Sequence, residues 1–114
     1  MTTLYGISNC DTIKKAKKWL EANHVDYQFH DYRKDGIDAK WLAITESKLG
    51  WENMLNKRGT TYRQLSDEQK TDINKVSALA LMLEFPAMIK RPILVSQGEH
   101  TIGFNAELYS KVFA

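Results

Sequence analysis

"YGISNCDTIKKAKKWL", residues 5–20, passes from a short β-prone run to a lysine-rich helical pattern, and the chain's one cysteine, Cys10, stands at the join. The run "TTLYGI" (2–7) ends at Ser8 and Asn9, residue types that turn a chain and cap helices. From Asp11 onward Ile13, Ala16 and Leu20 recur at helical spacing with Trp19 alongside, while Lys14, Lys15, Lys17, Lys18 and Glu21 fill the other face. This spacing predicts an amphipathic helix of roughly three turns, ending near Asn23 and His24.

Outward from that helix, "VDYQFHDY" (25–32) sets Val25, Tyr27 and Phe29 against Asp26, Gln28 and His30, the period of a strand, and "RKDG" (33–36) reads as a turn. Strand, helix and strand in this order predict a parallel, right-handed crossover. A helix is expected over 38–50, started by Asp38 and closed by Gly50, with a further helical turn over 51–56. Residues 57–65 break the pattern and read as a loop. Ser66 and Gln69 fit a capping box. Val76, Leu79, Ala80 and Leu83 mark a helix bounded by Pro86. "RPILVSQGEHTIGF" (91–104) holds two β-prone runs joined by "QGE", a hairpin signal, and Asn105 would cap a terminal helix over 105–114. The expected fold is α/β: β-α-β, a helical insertion over about 38–90, then β-β-α, in one domain spanning 1–114.

Composition narrows the function. At 114 residues, 43% apolar and 26% charged, the chain can bury a core without staples. A net charge of +2, with both signs spread along the chain, predicts neither nucleic-acid nor membrane binding. The apolar run "ALALML" (78–83) is far short of the ~20 residues that a membrane span needs, and the first ten residues lack a signal-peptide pattern. One cysteine cannot close an internal disulfide, and His24, His30 and His100 are scattered, so no metal site and no bound cofactor are expected. A cytoplasmic protein with a reduced thiol is expected.

A single cysteine is more often a small buried hydrophobe than a reagent. Cys10, however, falls where unpaired N–H groups and the helix dipole favour an anion, and helix N-termini lower cysteine pKa values. The Thr12 hydroxyl could donate to the sulfur, whereas the Asp11 carboxylate opposes a thiolate. The balance favours a reactive thiol. The lysines at 14, 15, 17 and 18 read more simply as a solvated face. Lys57, Arg58 and Arg63 stand on a polar segment with Gly59, where ordinary solvated charge is the simpler reading, although arginine suits carboxylates and oxyanions. Pro92 begins a β-prone run, a position where proline is tolerated; the Arg91–Pro92 bond is open to either isomer, trans being the commoner.

Three segments, "GISNCDTIKKAKKWLEANHVDYQFHDYRKDG" (6–36), "MLNKRGTTYRQL" (54–65) and "IKRPILV" (89–95), in this order and spacing, resemble the arsenate reductase (ArsC) family within the thioredoxin superfamily. The nearest likeness is to its YffB-like branch, with the Spx regulators as cousins, and it runs from Thr3 to Phe113. The resemblance implies a thioredoxin-like fold with a helical subdomain and Cys10 as redox nucleophile. It also implies that Pro92 is a cis-proline facing the cysteine, that Arg91 is the anion-site arginine and that Arg58 is the loop arginine. Asn9, Thr12 and Lys57 complete the expected substrate or anion site. The implied activity is that of an oxidoreductase, a glutathione-dependent thiol/disulfide or arsenate-type reductase. Glutathione would be its co-substrate, glutaredoxin a partner, and a small oxyanion or disulfide its substrate. Of the further arginines that arsenate reductases carry, one is displaced here, with Asn56 at its place and Lys57 and Arg58 following, and one is absent at about Phe104, so their oxyanion set is incomplete. Ile13 replaces the second cysteine of the Spx C-x-x-C switch, which rules out an intramolecular disulfide there. The alternative is a non-catalytic, Spx-like interaction protein that binds a partner such as RNA polymerase.

Overall fold

In the computed structural model of the chain, which describes residues 2–8 and 10–114, a strand precedes Ser8 and a helix follows Cys10. Strand β1 (Thr2–Gly6) leads to helix α1 (Asp11–Ala22), whose Ile13, Ala16 and Leu20 are buried, as their spacing predicts. Strand β2 (Gln28–Asp31) is shorter than the pattern over 25–32 suggests. The Val25 N–H donates to the Leu20 carbonyl at 2.9 Å, closing the end of α1 rather than joining a sheet. Past Asp31 the chain enters a helical turn, α2 (Tyr32–Asp35), where a plain turn is expected.

Two compact units follow from the packing: Met1–Asp35 together with Arg91–Ala114, and Gly36–Lys90. The second is helical. It contains α3 (Ala39–Leu49), α4 (Trp51–Met54), α5 (Thr60–Arg63), α6 (Asp67–Thr71), α7 (Lys75–Glu84) and a 3-10 turn over Pro86–Met88. Local capping sets several of these boundaries. Asp38 accepts from the Trp41 N–H at 2.7 Å, Gly50 ends α3 at φ 82°, and Ser66 and Gln69 form the expected reciprocal box. Part of the segment read as a loop over 57–65 is the short helix α5. On α7 the expected apolar stripe is not the buried one: Val76 is 79% exposed and Leu83 39%, while Ala78 and Met82 are fully buried. The alanine and methionine fill the space facing α3 and α4, and a helix that is apolar nearly all round does not mark its inner face by spacing alone. An antiparallel bridge between Leu55 and Ile89 joins the end of α4 to the segment after the 3-10 turn.

The first unit is completed by β3 (Ile93–Ser96), β4 (Glu99–Ile102) and α8 (Ala106–Val112). The hairpin turns on two residues, Gln97 and Gly98, at φ 52° and 82°; Glu99 already pairs with Ser96. Two positive φ values match the primed turns that follow strand twist. The sheet order is β2-β1-β3-β4, with β1 and β2 parallel and the other pairs antiparallel, which gives the thioredoxin-like α/β arrangement. Leu4, Ala16, Leu20, Leu94 and Tyr109 form its core, flanked by Trp19, Phe104 and Phe113. Among the described residues no helix is long and apolar enough to cross a membrane.

Close approach explains Gly6. A Cβ placed there would overlap the Ile13 Cδ1 atom, and Ile13 is fully buried and cannot swing away. Gly6→Ala is expected to cost about 1–3 kcal/mol by overpacking. Ile13→Val removes the clashing methyl, so the double variant should lose less than the sum of the single losses in urea unfolding. Additive losses would refute this contact as the cause.

Candidate active site

Cys10 is the N-cap of α1. Its backbone is extended (φ −134°, ψ 130°), and its carbonyl takes the first helical bond, from the Lys14 N–H at 3.0 Å. That conformation turns the side chain toward the open N–H groups of the first helical turn. The thiol is half-buried. Burial by itself pushes it up, but the N–H groups of Ile13 and Thr12 and the Arg91 guanidinium, by hydrogen bonding and by charge, outweigh that and hold it below the ordinary value. The sulfur closes no complete side-chain cap bond, so the two amides act on it chiefly as aligned dipoles.

Of the residues expected at the site, the structure brings together Cys10, Thr12 and Arg91. Thr12 acts through its backbone N–H, where its hydroxyl was the expected donor. The Arg91–Pro92 bond is cis, and the Pro92 carbonyl accepts from the Gly103 N–H at 2.8 Å, which fixes the entry to β3 beneath the hairpin. Lys57 and Arg58 are exposed on a turn of the Gly36–Lys90 unit, where the Arg58 N–H donates to Asn56 Oδ1 at 3.2 Å. Asn9 lies outside the described residues. Phe104, where a family arginine is expected, packs edge-on against Tyr109 at 4.9 Å between ring centroids.

Three features near the site are not announced by the sequence. The Ile13 amide carries no side-chain signal. Tyr32 is buried at the end of the sheet, where burial pushes its phenol up and the Arg91 charge works against that shift. Asp31 is 4% exposed, and it stays ionised because donors from Arg33, Ser8 and Lys34 outweigh the burial that would raise it. Among the described residues no cluster of His, Cys, Asp and Glu could hold a metal ion. The arrangement sets a half-buried thiol, held below its ordinary value, beside the Arg91 guanidinium.

The lowered thiol links folding to pH. Between the folded value and 9.0 the unfolded chain binds more proton, so the Cys10 contribution to stability rises with pH. It is complete above 9.0 and is lost as pH falls through the folded value. The stability gap between wild type and Cys10→Ser should therefore widen as pH is raised toward 9.0 in urea titrations. A gap that is flat, or that narrows with pH, would contradict the assignment.

The ArsC family model matches residues 5–112. The solved YFFB protein is 44% identical, with full coverage of both chains and a TM-score of 0.95. An arsenate reductase (ArsC) related protein from Brucella melitensis is 45% identical over 98% of this chain and 93% of its own, with a TM-score of 0.81. The global transcriptional regulator Spx 2 of Bacillus anthracis is 30% identical over 110 residues, covering 94% of this chain and 82% of that one. With the match running from β1 through α8, the chain belongs to the ArsC family.

Proposed function

We propose that the protein is a glutathione-dependent thiol reductase with Cys10 as its single nucleophile. The observation that carries this reading is the half-buried thiol at the N-terminus of α1, lowered by two backbone amides and Arg91. In the first step the Cys10 thiolate attacks the glutathione sulfur of a mixed disulfide. The Cys10–glutathione bond forms, the old disulfide breaks, and the released thiolate leaves with the bonding pair and takes a proton from solvent. A second glutathione thiolate then attacks the same glutathione sulfur, which frees oxidised glutathione and restores the Cys10 thiolate. One substrate thiol is reduced for each glutathione disulfide formed. Arg91 stabilises the thiolate and offers a fork of donors to a glutathione carboxylate or to an oxyanion.

The resolving thiol comes from outside because the chain has one cysteine. That fact also weighs against the second reading, a partner-binding protein like the regulator Spx 2, which rests on the 30% identity over most of the chain. The test is turnover of a glutathionylated peptide, coupled through glutathione reductase, together with the rate of Cys10 alkylation by iodoacetamide against pH in folded and urea-unfolded protein. Turnover, and faster alkylation of the folded chain below pH 9.0, support the reductase. If the folded thiol reacts no faster than the unfolded one and turnover is absent, the reductase reading falls. Recovery of one binding partner by both wild type and Cys10→Ser would then favour the second reading.

A further inference from the structure

Helix α7 borders a groove that the proposed chemistry does not use. A cleft of about 410 Å³ opens between α6 and α7, with Ser77, Ala80 and Leu81 on one wall and Glu68, Gln69 and Asp72 on the other. A second cleft, of about 290 Å³, shares Gln69 and continues to Glu84 and Phe85, against Leu65. Along α7 the two run from Ser77 to Phe85, about 12 Å or two helical turns. All of these residues belong to the Gly36–Lys90 unit. Apolar surface continues on the same helix, where Val76 and Leu83 are exposed.

The charge around the groove has one sign. Glu68, Asp72 and Glu84 line it, and among the described residues their carboxylates make no ion pair or hydrogen bond. The cations on the same two helices are engaged elsewhere. Lys70 Nζ donates to the Arg63 carbonyl at 3.2 Å and lies over the Tyr62 ring, while Lys75 Nζ pairs with Glu46 at 3.3 Å. An apolar floor with an uncompensated acidic rim is complementary to an apolar, cationic partner. Helical walls use their backbone groups internally and offer no sheet edge to an extended strand, so the fitting partner is itself a helix. A second copy of this chain fits poorly: the lysine face of α1 has no apolar anchor, because Ile13, Ala16 and Leu20 are buried.

We propose that this groove docks a cationic amphipathic helix of a partner protein. Its apolar side chains would lie against Ala80, Leu81 and Phe85, and its lysines or arginines against Glu68, Asp72 and Glu84. The proposal is independent of Cys10 and of the reductase reading.

The test is the fluorescence anisotropy of a labelled amphipathic peptide of leucine and lysine, about four helical turns long, titrated with the full chain. A matched peptide with glutamate in place of lysine is the control. Wild type should bind the lysine peptide and not the glutamate one, and added salt should weaken the complex. Glu68→Gln combined with Asp72→Asn should weaken binding about ten-fold, as the loss of two surface ion pairs implies. Ala80→Arg should abolish binding by placing bulk and like charge on the floor. Glu68, Asp72 and Ala80 are exposed, and where Ala80→Arg does not fold the charge variant decides. Glu99→Gln with Glu107→Gln removes two exposed carboxylates from the other unit and should bind as wild type does. The proposal is overturned by absent binding, by equal binding of both peptides, or by binding that the groove variants leave unchanged. An equal loss in the Glu99/Glu107 variant would mean unspecific attraction and overturns it too. So does a wild-type dimer in sedimentation that Ala80→Arg splits into monomers, which would make a second copy the occupant.

Discussion

Replacing Cys10 with serine is expected to bring glutathione-coupled turnover down to the background rate while leaving the urea midpoint at neutral pH close to that of wild type. A serine hydroxyl does not ionise in the range where the helix amides and Arg91 act, so no nucleophile forms, and no second thiol exists to take its place. The fold should survive because Cys10 is only half-buried, its backbone already has N-cap geometry, and serine is among the favoured N-cap residues. Serine can also donate to or accept from the first-turn groups. Intact mass after incubation with oxidised glutathione gives the most direct readout. Wild type should gain one glutathione adduct, and the variant none. Residual turnover in Cys10→Ser would remove the mechanism, whatever the pH profile of the thiol.

Tyr109→Ala is expected to have the largest effect on folding. Tyr109 is fully buried at the centre of the core around Leu4, Ala16, Leu20 and Leu94, with Trp19 edge-on at 5.6 Å and Phe104 edge-on at 4.9 Å. Removing a ring of this size should cost about 3–5 kcal/mol, the range for large aromatic truncations. That is a large share of the roughly 5–15 kcal/mol that holds a domain together. The hydroxyl behaves differently. It is buried with no hydrogen-bond partner among the described residues, so it bears a desolvation cost with nothing to offset it. Tyr109→Phe should therefore match or exceed wild type in urea. A Phe variant weaker by as much as the Ala variant would show that the hydroxyl, rather than the ring, holds the site. A near-neutral Ala variant would refute the central place of the ring.

The same contrast between local and distant causes separates what the residues announce from what they conceal. Asp38, Ser66 with Gln69, and Asn105 were legible because a cap is satisfied by N–H groups two or three positions along the chain. Helix α1 was legible because Ile13, Ala16 and Leu20 alternate with lysines at one period. The end of β2 was not legible, since Val25 and Tyr27 fit a strand by alternation while the Val25 N–H is already taken by the Leu20 carbonyl. Nor was the inner face of α7, where alanine and methionine lie inside and valine lies outside.

The place of Cys10 at a helix N-terminus and the want of a second cysteine are legible along the chain, because they depend on near neighbours and on composition alone. Which groups tune that thiol depends on sheet pairing. Arg91 comes to Cys10 because β3, which it precedes, pairs with β1, whose end leads to that cysteine. Sheet pairing joins residues far apart in the chain through backbone hydrogen bonds that any side chain permits, so no local pattern records which charges will meet.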